Sequence, residues 1–214
     1  MRLYDYAASG NCYKARLLLA LLARPYERVA VDLFAGDTLT DAYAALNPAR
    51  ETPVLELDDG TVITQSPAIL WFLAEDTPFH PDTALGRAQV VQWLAFEQER
   101  VMGGIGSARF RLATGRATAD DPLVAGRLAT ARKTLDILAA HLAARDWLVG
   151  DRSTIADVAV FAYTSRSADV GLDPAAWPRV LAWLDRLRAL PGFVDDFAPY
   201  PSNARAGAGT SIYG

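Results

Sequence analysis

In the first third of the chain, the pattern of hydrophobic and polar positions switches between the period of a strand and the period of a helix. Residues 3–6 predict a short strand, and residues 12–22 predict a helix with its apolar residues on one stripe. Residues 26–32 then alternate in the manner of a strand. A strand, a helix and a second strand with brief connections predict a crossover unit whose two strands are parallel.

The next segment predicts a hairpin. Residues 54–57 and 61–64 are short apolar runs on either side of Asp59-Gly60, and an Asp-Gly pair is a strong signal for a tight turn. Ahead of them, residues 39–46 predict a short helix. That helix ends at Asn47, because a residue that precedes a proline disfavours helical angles.

Ser66-Pro67 predicts the start of another helix, with an acceptor side chain at the N-cap and a proline at the first helical position. The order of elements becomes β-α-β, a short helix, then β-β-α. This is the order of a thioredoxin-like domain. We therefore expect an α/β thioredoxin-like domain over residues 1–77.

The pattern changes after a proline-punctuated linker at residues 77–82. Later apolar periodicity is helical, with stretches at 85–113, 123–145 and 177–189. These stretches predict an all-α helical-bundle domain over residues 84–200.

Two further features belong to this second half. Thr154 and Asp157 have the spacing of a capping box with Asp in place of Glu, which predicts a buried helix start. The C-terminal tail, residues 201–214, is rich in Gly, Ala and Ser and is expected to contribute little to a core.

Composition narrows the classes of function. The chain has 214 residues, is 51% hydrophobic, and has no apolar run near the roughly 20 residues that cross a bilayer. A net charge of −4 argues against a nucleic-acid surface. Cys12 is the single cysteine, and the first residues carry no apparent export signal. We expect a cytoplasmic protein with no membrane or nucleic-acid partner and no bound metal.

Four short segments have a distinctive order and spacing. They are Ser9-Gly10-Asn11-Cys12, then Asn47-Pro48 with Thr52-Pro53-Val54-Leu55, then Gln65-Ser66-Pro67-Ala68-Ile69-Leu70, and Thr154-Ile155-Ala156-Asp157. Together they resemble the cytosolic glutathione S-transferase family, and in particular its bacterial serine-type members (theta- or nu-like). The resemblance extends over nearly the whole chain. It implies glutathione as co-substrate, a small apolar electrophile as second substrate, and a homodimer.

Ser9 is the residue that the resemblance implies to be catalytic. A free thiol has a pKa of about 8.5, so only a few per cent is present as the nucleophilic thiolate at neutral pH. A hydroxyl that donates to the sulfur and a helix N-terminus that points at it both favour the thiolate. Ser9 is placed for both effects, although a serine there also serves as a plain N-cap.

Cys12 introduces an alternative, because Ser9-x-x-Cys12 stands where a redox protein of this fold has Cys-x-x-Cys. A reactive Cys12 would form a mixed disulfide with glutathione and support disulfide or peroxide reduction. The simpler interpretation is a small residue that packs against the sheet. A third possibility is a binding module that keeps the fold without turnover.

The remaining glutathione contacts also follow from the resemblance, which places Asn11 and Cys12 in the site. It implies a cis peptide bond between Thr52 and Pro53, which leaves the backbone of Thr52 free to pair with the cysteinyl part of glutathione. Gln65 and Ser66 stand at a helix N-terminus, where the γ-glutamyl carboxylate is expected to bind.

The sequence departs from the family pattern at three positions. Glu51 stands where relatives often have a lysine that meets the glycyl carboxylate, and Thr38 replaces a histidine of some relatives. Gln65 stands where many have glutamate, which predicts weaker glutathione binding. Arg50 is the candidate to replace the missing cation.

Trp93, Arg109 and Phe110 are the candidates for the electrophile pocket, because they lie on the first long helix of the second half. In the family this helix lines both the pocket and the dimer interface. Trp93, Phe96 and Phe110 are likewise the residues that suggest a homodimer. Helical spacing alone leaves open which face each residue takes.

Overall fold

The computed structural model describes residues 1–213, and its first part is a small mixed sheet with helices around it. The strands lie in the order β2-β1-β3-β4. Their bounds are Arg2–Asp5 for β1, Glu27–Ala30 for β2, Val54–Glu56 for β3 and Val62–Thr64 for β4. The helices of this part are α1 (Gly10–Leu21), α2 (Asp41–Leu46) and α3 (Ser66–Ala74).

The pairing of the strands agrees with the sequence. β1 and β2 are parallel, and they are joined through α1 as a crossover unit. β3 and β4 form the antiparallel hairpin around the Asp-Gly turn, and β3 pairs with β1. The thioredoxin-like fold class is therefore confirmed.

Between residues 84 and 213 the regular secondary structure is helical, apart from an isolated bridge between Thr210 and Ala35. The helices are α4 (Ala84–Phe96), a π-helical segment (Glu97–Gly106), α5 (Ser107–Ala113), α6 (Pro122–His141), α7 (Ile155–Thr164) and α8 (Pro178–Arg188). Short 3₁₀ turns lie at Asp37–Leu39, Leu142–Ala144, Ser167–Val170, Pro174–Ala176 and Ser202–Ala204. The all-α class of the second half is confirmed, and the exact boundaries at 77, 84 and 200 remain predictions.

The predicted helix over 85–113 is a continuous rod whose middle is π-helical. Gly104 in this segment lies so close to α6 that an added Cβ would be 3.1 Å from the backbone nitrogen of Ala131. A side chain at this position would push the two helices apart. The glycine therefore lets the rod pack tightly against its neighbour.

The capping box is confirmed. Thr154 and Asp157 exchange hydrogen bonds with each other's backbone at the start of α7. Every residue of α7 is buried, and this helix packs against α1. It therefore carries the contact between the helical part and the sheet-containing part.

One local expectation is wrong. The N-cap of α3 is Gln65 rather than Ser66, which is already helical. The tail contributes little to the core, as expected, since Ala204 is the one buried residue of 201–213, although the backbone of the tail bonds to two distant segments. The N–H of Thr210 donates to the carbonyl of Phe34 at 2.8 Å, and that of Ala206 donates to Thr114 at 2.9 Å.

In the part of the chain that the structure describes, no helix is both long and apolar enough to span a bilayer.

Candidate active site

A cavity of about 400 Å³ lies between the first turn of α1, the loop before β3, the start of α3, and the π-helical segment with α5. Its polar lining residues are Ser9, Asn11, Asn47, Glu51, Thr52, Gln65, Ser66, Gln98, Ser107 and Arg111. The other lining residues are Tyr6, Leu33, Phe34, Pro53, Met102, Gly106, Phe110, Tyr163, Tyr200 and Tyr213. The cavity has a polar wall from the first part of the chain and an aromatic wall that comes largely from the second.

Ser9 lies at the N-cap of α1 and lines this cavity. Its Oγ accepts a hydrogen bond from the backbone N–H of Cys12 at 3.3 Å. The hydroxyl hydrogen rotates about the Cβ–Oγ bond, so it is able to point into the cavity while the oxygen caps the helix. Capping and a role toward a ligand are therefore compatible in one side chain.

The structure contradicts the placement of Cys12 in the ligand site. Its side chain is fully buried in an apolar cluster with Tyr6, Phe34 and Tyr43, and it does not line the cavity. Its Sγ accepts from the backbone N–H of Tyr6 at 3.4 Å. Burial raises the pKa of the Cys12 thiol to about 11, so the group is a packed thiol rather than a reactive thiolate.

The loop that presents Thr52 is held by two side chains. The hydroxyl of Tyr43 and the amide of Asn47 both donate to the carbonyl of Glu51, at 3.0 and 2.8 Å. The Thr52-Pro53 peptide bond is cis, as expected. Within residues 1–213, the backbone N–H and C=O of Thr52 have no hydrogen-bond partner. They are the two groups that an extended peptide would pair with.

The N-terminus of α3 also opens on the cavity. No side chain caps this helix at Gln65, whose φ is +69°, so the first N–H groups of the helix are available to a ligand. Such a helix end favours an anion. The amide of Gln65 instead donates to the carboxylate of Glu51 at 3.2 Å, so both side chains belong to this end of the cavity.

Arg50 does not take the place of the missing cation. Its guanidinium donates to the backbone carbonyls of Thr38 and Thr40, at 2.9 and 3.2 Å, and it does not line the cavity. Thr38 is fully buried and is also absent from the lining. The backbone at Arg50 is left-handed, with φ of +57°, and the side chain bonds within its own loop instead of reaching into the cavity.

Of the three candidates on the first long helix, only Phe110 lines the cavity. Trp93 is 6% exposed and packs edge-on against Phe96 and His141, so its placement in the pocket is wrong. Arg109 is also buried, and its Nε lies 2.7 Å from a carboxylate oxygen of Asp169. This ion pair keeps Arg109 out of the cavity lining.

Sequence reasoning missed Tyr6, Arg111 and the three tyrosines of the second half that line the cavity. The Tyr6 hydroxyl is buried and has no hydrogen-bond partner in the described chain. Burial raises the pKa of Tyr6, so the phenol is a neutral donor. The position of Tyr6, directly after the first strand and near Ser9, is the sequence feature that could have predicted its place in the cavity. For Arg111, the corresponding feature is that it directly follows Phe110, a residue predicted to line the pocket.

Among residues 1–213, no group of three or more His, Cys, Asp or Glu side chains is arranged to hold a metal ion.

Comparison with known proteins gives matches over both parts of the chain. Residues 8–76 match the N-terminal domain of the glutathione S-transferases, and residues 100–191 match the C-terminal domain. A crystal structure of a glutathione S-transferase from Xanthobacter autotrophicus is 40% identical with a TM-score of 0.86, over 92% of this chain and 97% of that one. Glutathione S-transferase 3 of Zea mays is 30% identical over 94% of this chain and 95% of its own. A maleylacetoacetate isomerase of Rhizobium meliloti is 32% identical over 86% and 89%.

Proposed function

Since the chain belongs to the glutathione S-transferase family, we propose that it holds the thiol of glutathione as a thiolate beside Ser9 and transfers it to an electrophile bound against Phe110. Its activity is that of a glutathione transferase. The observation that carries the proposal is the position of Ser9, which caps α1 and lines the cavity at the same time. The serine-type assignment is part of the proposal.

Two effects stabilise the thiolate in this arrangement. The hydroxyl of Ser9 donates to the sulfur, and its oxygen is polarised by the N–H of Cys12 that it accepts. The N-terminus of α1 adds the positive end of the helix dipole. The thiol proton leaves to solvent. The thiolate then attacks the electrophilic carbon, a sulfur–carbon bond forms, and the carbon–halogen bond of a halogenated substrate breaks with release of halide.

The rest of glutathione follows the polar wall. Its cysteinyl backbone pairs with the N–H and C=O of Thr52, and its γ-glutamyl carboxylate binds the uncapped N-terminus of α3 with Ser66. Glu51 lies at this same end, within hydrogen-bond distance of Gln65. Its negative charge therefore favours the α-ammonium group of the γ-glutamyl residue. Asn11 lines the cavity in the first turn of α1, where it is close to the sulfur end of the ligand.

Reduction through Cys12 is disfavoured by the burial and the raised pKa of that thiol. A binding module without turnover would bind immobilised glutathione but conjugate no electrophile, and this result would distinguish it from a transferase.

The test is an ultraviolet difference titration of the glutathione complex in the wild type, Ser9→Ala and Tyr6→Phe. We expect the bound thiol to ionise below the usual pKa of about 8.5 in the wild type. Loss of one hydrogen bond to a charged group, about 1.5–3 kcal/mol, should raise that pKa by about one to two units in Ser9→Ala. Conjugation of 1-chloro-2,4-dinitrobenzene at neutral pH should fall about 10- to 100-fold in parallel.

Tyr6→Phe is the matched control, because it removes a second cavity hydroxyl from the same segment. We expect it to leave the thiol pKa near the wild-type value. An unshifted thiol in the wild type, or a shift that survives in Ser9→Ala and disappears in Tyr6→Phe, would refute the assignment to Ser9.

We propose a homodimer, but on different residues from those that the sequence suggested. Trp93 is buried, Phe96 is half-buried against it, and Phe110 faces the cavity. Large apolar side chains are exposed instead on α3 and α4, where Phe72 is 43%, Leu85 is 70% and Val91 is 52% exposed. Sedimentation velocity should give a dimer for the wild type and a monomer for Val91→Glu. A monomeric wild type would contradict the proposal.

The cytoplasmic location is also a proposal, supported by the single buried cysteine. Cell fractionation of the tagged chain tests it, and recovery outside the cytoplasm would contradict it.

A further inference from the structure

Arg111 is a cation in the cavity wall without a counter-ion. Its Nε is buried and has no hydrogen-bond partner in the described chain. No carboxylate of residues 1–213 forms an ion pair with it. Arg109, two residues earlier, is by contrast paired with Asp169 at 2.7 Å.

An unpaired, partly desolvated guanidinium is an unfavourable arrangement until an anion reaches it. Glu51 is the acidic member of the cavity lining, and its carboxylate accepts from the amide of Gln65 rather than pairing with Arg111. The cavity therefore supplies a positive charge on one wall that no group of the polar wall neutralises. A ligand anion is the group that would satisfy it.

The surroundings of Arg111 define the shape of that ligand. Ser107, Phe110 and Arg111 have i, i+3 and i+4 spacing on α5, so they share a face, and all three line the cavity. The ring of Phe110 is packed by Tyr200 and Tyr213, with centroids 5.7 and 5.5 Å away. The wall thus combines a flat aromatic surface with a hydroxyl and a planar cation, which is a good match for a conjugated body that carries a carboxylate.

The carboxylates of glutathione itself do not account for this cation. The residues proposed to bind glutathione all lie between positions 9 and 66, whereas Arg111 belongs to α5 and neighbours Phe110. We infer that Arg111 selects electrophiles that carry a carboxylate, so that the second substrate is an acid rather than a purely apolar molecule. The inference rests on the proposed function, because it assigns the electrophile half of the same cavity.

The test uses two conjugates that differ by one group. S-(4-carboxybenzyl)glutathione and S-(4-carbamoylbenzyl)glutathione have the same size, and only the first is an additional anion. Their dissociation constants are measured by calorimetry for the wild type, Arg111→Gln and Arg111→Lys. Arg132→Gln, an exposed arginine on α6, is the control for the change in net charge.

We expect the wild type and Arg132→Gln to bind the carboxylate conjugate about 10- to 100-fold more tightly than the amide, as for a hydrogen-bonded charged pair. The preference should vanish in Arg111→Gln and be partly kept in Arg111→Lys, which retains the charge without the planar fork. Equal binding of the two conjugates by the wild type, or a preference that persists in Arg111→Gln, would overturn the inference.

Failure of the proposed function gives a different result. In that case, conjugation of 1-chloro-2,4-dinitrobenzene would be absent or independent of Ser9, while the carboxylate preference at Arg111 would still be measurable by binding. Failure of both conjugates to bind the wild type would refute the site as a whole, and with it the role of Arg111.

Discussion

Lys14 on α1 and Glu97 in the π-helical segment form a fully buried ion pair, with 2.7 Å between Nζ and Oε2. Burial lowers the pKa of Lys14 and the charge of Glu97 raises it, with burial as the larger effect. The pair lies directly behind the cavity wall. Nζ also donates to Oδ1 of Asn11 at 2.8 Å, and the amide of Gln98 donates to Glu97 at 2.8 Å. Asn11 and Gln98 both line the cavity, so the pair joins the two parts of the chain beside the cavity.

Removing one partner of this pair should be strongly destabilising. Lys14→Met leaves the carboxylate of Glu97 buried without its cation, which we expect to lower the free energy of unfolding by about 3–5 kcal/mol. The double change Lys14→Met with Glu97→Leu should recover most of that loss, because no charge stays buried. Chemical denaturation of the three proteins measures both numbers. A single variant as stable as the wild type would show that the pair is not needed for folding.

Stability should also depend on pH through Asp157. Burial raises the pKa of this carboxyl to about 6 from 3.8, even though it accepts hydrogen bonds from Thr154, Leu148 and Trp183. The folded chain therefore holds the proton more tightly than the unfolded chain. The associated stabilisation is fully present below about pH 4 and is lost as the pH rises through about 6, by about 3 kcal/mol for a shift of about two units.

Asp157→Asn isolates this effect, because the amide does not titrate. Urea denaturation at pH 4.5 and pH 7 should show that the stability advantage of the wild type over the variant narrows as the pH rises. An advantage that is constant or grows with pH would contradict the raised pKa.

The Cys12 thiol should be inert in the native protein. With a pKa of about 11, about 0.1% of it is thiolate at pH 8, and its side chain is fully buried. A disulfide reagent such as dithionitrobenzoate should react with it only after unfolding in guanidinium. Ser9→Cys provides the comparison, because it places a second thiol at a residue that lines the cavity. Rapid modification of the native wild type would reopen the redox interpretation.

Tyr213 connects the C-terminal tail to the cavity wall around Phe110. Its ring packs on Phe110 and Phe34 with centroids 5.5 and 6.4 Å apart, yet it is 44% exposed. Loss of these aromatic contacts in Tyr213→Ala should raise KM for the electrophile about 2- to 10-fold and leave KM for glutathione unchanged.

The neighbouring Ile212→Ala serves as the control, because Ile212 is 39% exposed and does not line the cavity. Steady-state kinetics with each substrate varied in turn separates the two constants. An equal effect of both substitutions would argue against a specific role for Tyr213.

Much of the fold could be predicted from the amino-acid sequence, because the features that indicate its elements are local. The Asp-Gly turn, the proline after Asn47 and the capping box at Thr154 and Asp157 act over three or four residues, and each predicted its element correctly. The position of Ser9 before α1 is of the same kind. The order of these elements then gave both fold classes.

The residues on the α5 side of the cavity could not be predicted from local sequence features. Arg109 and Arg111 are two residues apart on α5, so about 200° of helix rotation separates them, and they face opposite surroundings. Sequence pointed to Arg109, which is paired with Asp169, whereas Arg111 lines the cavity. The burial of Trp93 could not be predicted either, because one of the residues that cover it is His141, which is distant in the chain.

The C-terminal tail shows most clearly what local sequence predicts and what only tertiary packing decides. Its Gly- and Ala-rich composition has no periodicity, and therefore nothing local indicates that Tyr213 packs on Phe110, about a hundred residues earlier. The amino-acid sequence determined the order of the elements, the turns between them and the serine that caps α1. Only tertiary packing decided which side chains meet in the cavity, because burial and charge pairing depend on partners that are distant along the chain.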